Sequence, residues 1–316
     1  MDSSRVLYVT GWCRSGTTLI GNLLNELDGV VHVGELYYLW RNGVLRDGTN
    51  STCGCGTPVL QCPVWRDVLE QVGGVDLVGT ARAWMRAQQQ LVRTRHTMAR
   101  LAESSGRKTA PPAVRQLGDR MNGLYQAIRG ATGARVVVDS SKYPAEAALL
   151  AGRQETNIRI LHVVRDPRAT ANSWLRPKLY IPAMSPARST LYWTGFNAAS
   201  ELICRMFPEI SLRLTYEDFV RDPRRALRAI LGLLDLDAEP PVDANRIASL
   251  GINHTVTGNP DRLQRGDVQV RPDDRWPAQL PRRAAVTATA LSLPLLTRYG
   301  YPVTPSSKAS AVRQGV

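Results

Sequence analysis

The stretch that most constrains the fold lies near the start of the chain. Val6-Leu-Tyr-Val9 is followed by Gly11-Trp-Cys-Arg14-Ser15-Gly16-Thr17-Thr18-Leu-Ile-Gly21. An unbroken apolar run of this length suits a strand buried on both faces. Two glycines five positions apart then turn the chain directly into a helical run. The first backbone N–H groups of such a helix have no intrahelical acceptor, so the turn is an anion site by geometry alone. The reading is a phosphate-binding loop at the head of a parallel sheet. A nucleotide-hydrolysing loop carries a lysine directly after the second glycine. Here that position is Thr17, and the cation, Arg14, stands inside the turn.

The alternation of strand and helix continues along the chain. Strands are expected at 135–139, 159–164 and 211–215, and helices at 16–27, 187–207 and 224–234, with Pro223 in the first turn of the last. This pattern predicts an α/β fold, a P-loop-like, mostly parallel sheet flanked by helices on both faces. Residues 66–130 read as a helical insertion and a candidate acceptor-side lid. One helix there is expected from Trp84, Leu91 and Met98 at seven-residue spacing, and another from Val114, Leu117, Met121, Leu124 and Ile128. Trp84, Met85 and Tyr125 are read as core residues, with the lining of an apolar site as the alternative. Residues 1–303 are expected to form one domain and 304–316 a disordered tail.

The net charge of +13 is almost entirely arginine, since lysine stands only at Lys108, Lys142, Lys178 and Lys308. We read this as compositional bias together with a small polyanion site, because guanidinium forks match phosphate oxygens. The arginines are dispersed and no nucleic-acid module is recognisable, so no specific nucleic-acid partner is expected. No export signal is legible at the N-terminus and no apolar stretch approaches the length of a membrane span. The expectation is a cytoplasmic protein.

A second segment, Leu161-His-Val-Val-Arg165-Asp-Pro-Arg-Ala-Thr-Ala-Asn-Ser173, places an arginine at a strand end and a serine eight residues later on the next helix. Together with Arg14-Ser-Gly-Thr-Thr18, it resembles the two nucleotide motifs of sulfotransferases that use 3′-phosphoadenosine-5′-phosphosulfate (PAPS). The resemblance implies that Arg14, Ser15, Gly16, Thr17 and Thr18 bind the 5′-phosphosulfate, and that Arg165 and Ser173 bind the 3′-phosphate. Leu214-Thr-Tyr216 resembles the following strand and loop, so Tyr216 is a further candidate beside the 3′-phosphate. Gly258-Asn-Pro-Asp-Arg262 resembles a stretch of bacterial members, which makes Arg262 a candidate phosphate contact. Lys142, in Asp139-Ser-Ser-Lys142, and Glu35, in Gly-Glu35-Leu, are similar to the lysine and glutamate of tyrosylprotein sulfotransferases. Their implied roles are stabilisation of the transferring group and general base; His96 and His254 are the alternatives for the base.

The reaction so implied is transfer of a sulfonate to an acceptor hydroxyl, from a small molecule such as a secondary metabolite or glycolipid, leaving the desulfated product PAP. Leu19 stands where cytosolic members place an adenine-stacking tryptophan. Oligomeric state is not legible. A catalytic metal is not required by this chemistry. Cys53, Cys55 and Cys62 form the other unusual cluster; with a tight C-x-C spacing and no evident fourth ligand, packed thiols are expected there in preference to zinc. Two other classes remain. A nucleoside-triphosphate-dependent kinase has Val136-Val-Val-Asp139 in its favour, as an apolar strand ending in a magnesium-holding acid, and the missing loop lysine against it. A non-catalytic nucleotide-binding protein is opposed by the joint presence of Arg14, Glu35 and Lys142.

Overall fold

In β1 (Arg5–Thr10), Val6 and Tyr8 enter one hydrophobic core while Leu7 and Val9 enter another, all four without exposed surface. A strand sends successive side chains to opposite faces, so an unbroken apolar run needs two covered faces. The structure, a computed structural model describing residues 5–48, 50–179 and 181–304, supplies both. β2 (Val30–Gly34), β3 (Val136–Lys142), β4 (Ile158–Val164) and β5 (Ser211–Thr215) complete a sheet in the order β2-β3-β1-β4-β5. Every pairing in it is parallel.

One face of the sheet is covered by α1 (Thr17–Leu24) and, later in the chain, by α9 (Tyr216–Arg221) and α10 (Pro223–Leu233). Across the sheet lie α2 (Pro63–Val72), α3 (Leu77–Leu91), α4 (Thr97–Ser104), α5 (Pro112–Thr132) and α6 (Pro144–Ala151). α7 (Pro167–Trp174) follows β4 directly and packs on α8 (Pro186–Met206). A hairpin of β6 (Ile247–Leu250) and β7 (Gly266–Gln269), then α11 (Trp276–Gln279) and α12 (Arg282–Arg298), complete the described chain. None of these helices is long and apolar enough to cross a membrane.

The α/β expectation therefore holds, with the expected strands within a few residues of their places. The single helix expected over Trp84, Leu91 and Met98 does not form. α3 ends at Leu91, a 3₁₀ turn over Thr94–His96 redirects the chain, and Met98 is 63% exposed on α4. Seven-residue spacing aligns apolar residues only along an uninterrupted helix, and the polar Arg93-Thr-Arg-His96 run breaks this one. Trp84 stacks on Trp40 at 5.0 Å between ring centroids, and Tyr125 is 1% exposed. Both are core residues. The expected tail, beyond Thr304, lies outside the described residues.

Candidate active site at the C-terminal edge of the sheet

Each of the five parallel strands delivers a polar residue of interest at or just beyond its C-terminal end: Arg14 after β1, Glu35 after β2, Lys142 as the last residue of β3, Arg165 after β4 and Tyr216 after β5. The connection leaving β1 runs two strand positions towards one edge, and that leaving β3 runs two positions towards the other. Open α/β sheets bind ligands in the crevice that such a reversal opens. All five residues line one cavity of about 580 Å³ there, joined by Gly16, Thr17, Thr18 and Ser173.

The loop after β1 is shaped by close contacts. Gly16 caps α1 in a left-handed conformation (φ 80°), and a Cβ added to it would stand 2.6 Å from the Tyr216 ring. Ser15 is fully buried and spends its hydroxyl on the Trp12 carbonyl (2.9 Å). It supports the turn from behind while Thr17 and Thr18 face the cavity. Arg14 is itself left-handed (φ 70°) and nearly buried, its guanidinium carbon 4.9 Å from the centroid of the Trp174 ring. Trp174 in turn stacks on Trp12 at 5.9 Å. A cation held against a ring is both oriented and kept available to an anion in front of it.

Arg165 is seated on three sides. Its guanidinium donates to the Arg14 carbonyl (3.0 Å) and to the Asp273 carboxylate (2.9 Å), and it lies 4.3 Å from the centroid of the Tyr216 ring. The Arg165 Nε is buried without a hydrogen-bond partner, and such a donor is costly unless a ligand accepts from it. Burial opposes ionisation of Asp273, but Arg275 and Arg165 outweigh it and hold its carboxyl at about 2. Arg271 and Arg275 also line the cavity. Sequence reading missed all three of these residues, which stand in the mixed-charge run Arg271-Pro-Asp-Asp-Arg275.

At the other end of the cavity the Lys142 Nζ donates to Glu35 Oε1 (2.5 Å) and to the Ser140 carbonyl (2.8 Å). Burial alone would lower the lysine; the Glu35 carboxylate reverses this and the net direction is upward, so the ammonium persists. Cys13 beside them is pushed up to about 11 by burial and stays a thiol. Glu35 is fixed through its backbone, whose N–H donates to the Val256 carbonyl (2.8 Å).

None of the chain's four histidines lines this cavity. His96 lies in the exposed turn before α4, where its Nδ1 accepts from the Arg93 N–H (3.2 Å). His162 is inside β4, bonded to Asn197 (2.9 Å) and lowered to about 4 by burial. His32 is lowered to about 3, by burial and then by the Lys142 charge. His254 packs among cysteines. Asp139, the acid that a kinase would need, is also turned away from the cavity. It accepts from the Tyr125 hydroxyl (2.8 Å) and from Ser141 in a buried network. Arg262 needs a correction as well. It is 1% exposed and its guanidinium donates to Asn50, Thr52 and Thr255, so it braces loops beneath the cavity and does not line it.

Residues 7–240 match the model of the sulfotransferase family, and the chain belongs to that family. Among solved structures it is similar to the sulfotransferase domain of the Synechococcus PCC 7002 olefin synthase (18% identity, 95% of this chain and 96% of that one, TM-score 0.50). It is also similar to the sulfotransferase domain from the curacin biosynthetic pathway (16% identity, 95% and 99%, TM-score 0.52). At these identities the likeness is one of fold. No curated protein matches the sequence closely.

Proposed function

We propose that the chain transfers a sulfonate from PAPS to the hydroxyl of a small-molecule acceptor. The observation that carries the reading is the pairing of two cationic subsites in one cavity, Arg14 with the Thr17–Thr18 helix start and Arg165 with Ser173. The residues fit a nucleotide with two separate phosphate groups. One end offers helix N–H groups and hydroxyls beneath a turn too tight for any side chain at Gly16. The other offers a seated guanidinium whose buried Nε has no protein partner. Bound PAPS would supply an activated sulfonate at its 5′ end.

Thr17 and Thr18 hold the 5′-phosphate, and Arg165 and Ser173 the 3′-phosphate, with Tyr216 as the aromatic wall beneath Arg165. Arg14 neutralises the charge that collects on the 5′ leaving group. Lys142 does the same for the transferring group, its ammonium hydrogen-bonded to Glu35. Glu35 accepts the proton of the acceptor hydroxyl. The acceptor side is walled by Tyr38, Trp174 and Ile181, which favours an alcohol or phenol on an apolar body. Tyr38 also lines a smaller cavity of about 240 Å³ with Tyr37, Met85, Gln88 and Tyr143. This supports the insertion helices as part of the acceptor surface.

Calorimetric titration with PAP, beside ATP–Mg²⁺, on wild type and Arg165→Ala tests the cofactor. Loss of a charge-assisted contact of about 1.5–3 kcal/mol predicts PAP affinity about 10–100-fold weaker in the variant. ATP should bind much more poorly than PAP to the wild type. Equal affinity for the two nucleotides, unchanged by Arg165→Ala, would refute the reading.

A further inference from the structure

The tight spacing of Cys53, Cys55 and Cys62, without an evident fourth ligand, predicts packed thiols. The fold brings that ligand. His254 enters from the strand-like segment that bridges to β2, and the ligand atoms of Cys53, Cys55, Cys62 and His254 all lie within 4.8 Å of one another. The His254 Nδ1 is 3.2 Å from the Cys62 sulfur and 3.7 Å from the Cys53 sulfur. A tetrahedral zinc with bonds of about 2.3 Å to sulfur and about 2.05 Å to nitrogen separates those atoms by about 3.6 Å. The two measured distances bracket that value. Among the described residues this is the one cluster of three or more such ligands.

Polar groups, not apolar packing alone, surround the sulfurs. The Thr57 hydroxyl lies 3.1 Å from the Cys55 sulfur, within reach to donate to a thiolate. Such a donor stabilises charge on sulfur and orients it for a metal. Trp65 Nε1 donates to the His254 carbonyl (2.8 Å), holding the histidine's backbone in place. Arg265 donates to the carbonyls of Gly54 (3.3 Å) and Cys55 (3.1 Å), placing a cation beside a centre of three thiolates. Gly54, between two of the ligands, has no room for a side chain, since an added Cβ would meet Asn253 Oδ1 at 1.8 Å. The C-x-C spacing that argued against a zinc finger is thus accommodated by this turn.

We infer that Cys53, Cys55, Cys62 and His254 form a structural zinc site of the Cys₃His type. Four protein ligands close the coordination sphere, so the metal takes no part in chemistry. Its effect is positional. The site joins the loop carrying Cys53 to the segment 253–259, in which Val256 accepts from the Glu35 N–H and Thr257, Gly258 and Asn259 line the cavity. Binding displaces the three thiol protons, and the histidine coordinates as the neutral ring with its proton on Nε2.

Elemental analysis of the full chain, purified without chelators, should find about one zinc per chain. Cobalt exchanged into the site should show a sulfur-to-cobalt charge-transfer band and the intense visible bands of a tetrahedral ion. Cys55→Ser, at the more exposed sulfur, should weaken or abolish the metal while His254→Cys keeps it. Removing the metal should lower the melting temperature and weaken PAP binding together. Failure of PAP to bind the zinc-loaded protein would count against the proposed function alone. Folded protein that lacks stoichiometric metal, gives no tetrahedral cobalt spectrum and titrates all three thiols would overturn the site.

Discussion

Arg14 and Lys142 share an unusual backbone feature, positive φ angles of 70° and 72° on residues with side chains. Left-handed geometry is uncommon outside glycine and is retained where the surrounding structure over-determines it. Here it aims two cations at one cavity from adjacent strands. For Arg14→Ala we expect turnover to fall about 10²–10³-fold, the usual effect of deleting a donor at developing charge. Single-turnover assays with saturating PAPS would read it; near-normal turnover would remove Arg14 from the reaction. For Glu35→Gln the expected loss is about 10²–10⁴-fold in kcat with PAP affinity held. A variant retaining most activity would mean that Glu35 is not the base, and no histidine stands ready in the cavity to replace it.

At the scale of elements, α6 carries Glu146 into the core beneath β1, where the Tyr8 hydroxyl donates to it (2.8 Å) and Gln88 donates weakly (3.4 Å). Burial, and then the nearby Asp139, push its carboxyl up to about 8. A value raised on folding contributes stability that is full below the unfolded value near 4.5 and is lost as pH rises through about 8. Glu146→Gln removes this ionisation and keeps an acceptor for Tyr8. Its melting temperature should therefore change less than that of the wild type between about pH 5 and pH 8; an identical pH profile would refute the assignment. The same element shows the limits of sequence reading. β1, β3 and β4 were legible because their apolar runs need two covered faces, and β5 by its alternating Leu212 and Leu214. β2 and the β6–β7 hairpin were not: Val30–Gly34 carries no turn or motif to mark it, and Ile247–Leu250 is a four-residue strand half exposed. The site was legible where a strand ends in a motif, at Arg14, Lys142 and Arg165. Asp273 and Arg271 come from a segment whose position depends on tertiary packing, and no local pattern marks them; His254 was visible as a candidate base, but its place among the cysteines is set by packing.

For the whole molecule, ligand binding and folding are linked, because the cavity draws on all five strands and on the late hairpin. PAP at about 100 times its dissociation constant should stabilise the fold by about 2.7 kcal/mol, visible as a rise of several degrees in melting temperature. Arg165→Ala at the same PAP concentration should show much less of that rise. An equal rise in both proteins would place the nucleotide elsewhere.

The cavity's composition also has a consequence for the order in which the chain is made. By residue 240, where the family match ends, all five strands and Arg14, Glu35, Lys142, Arg165 and Ser173 have been synthesised. What has not emerged is Val256, which anchors Glu35, and Asp273, which seats Arg165. A nascent chain paused there would own its sheet and its reactive side chains without the parts that aim them. The cavity is thus completed only after residues beyond 240 have been made, and until then its charged centre stands without a floor.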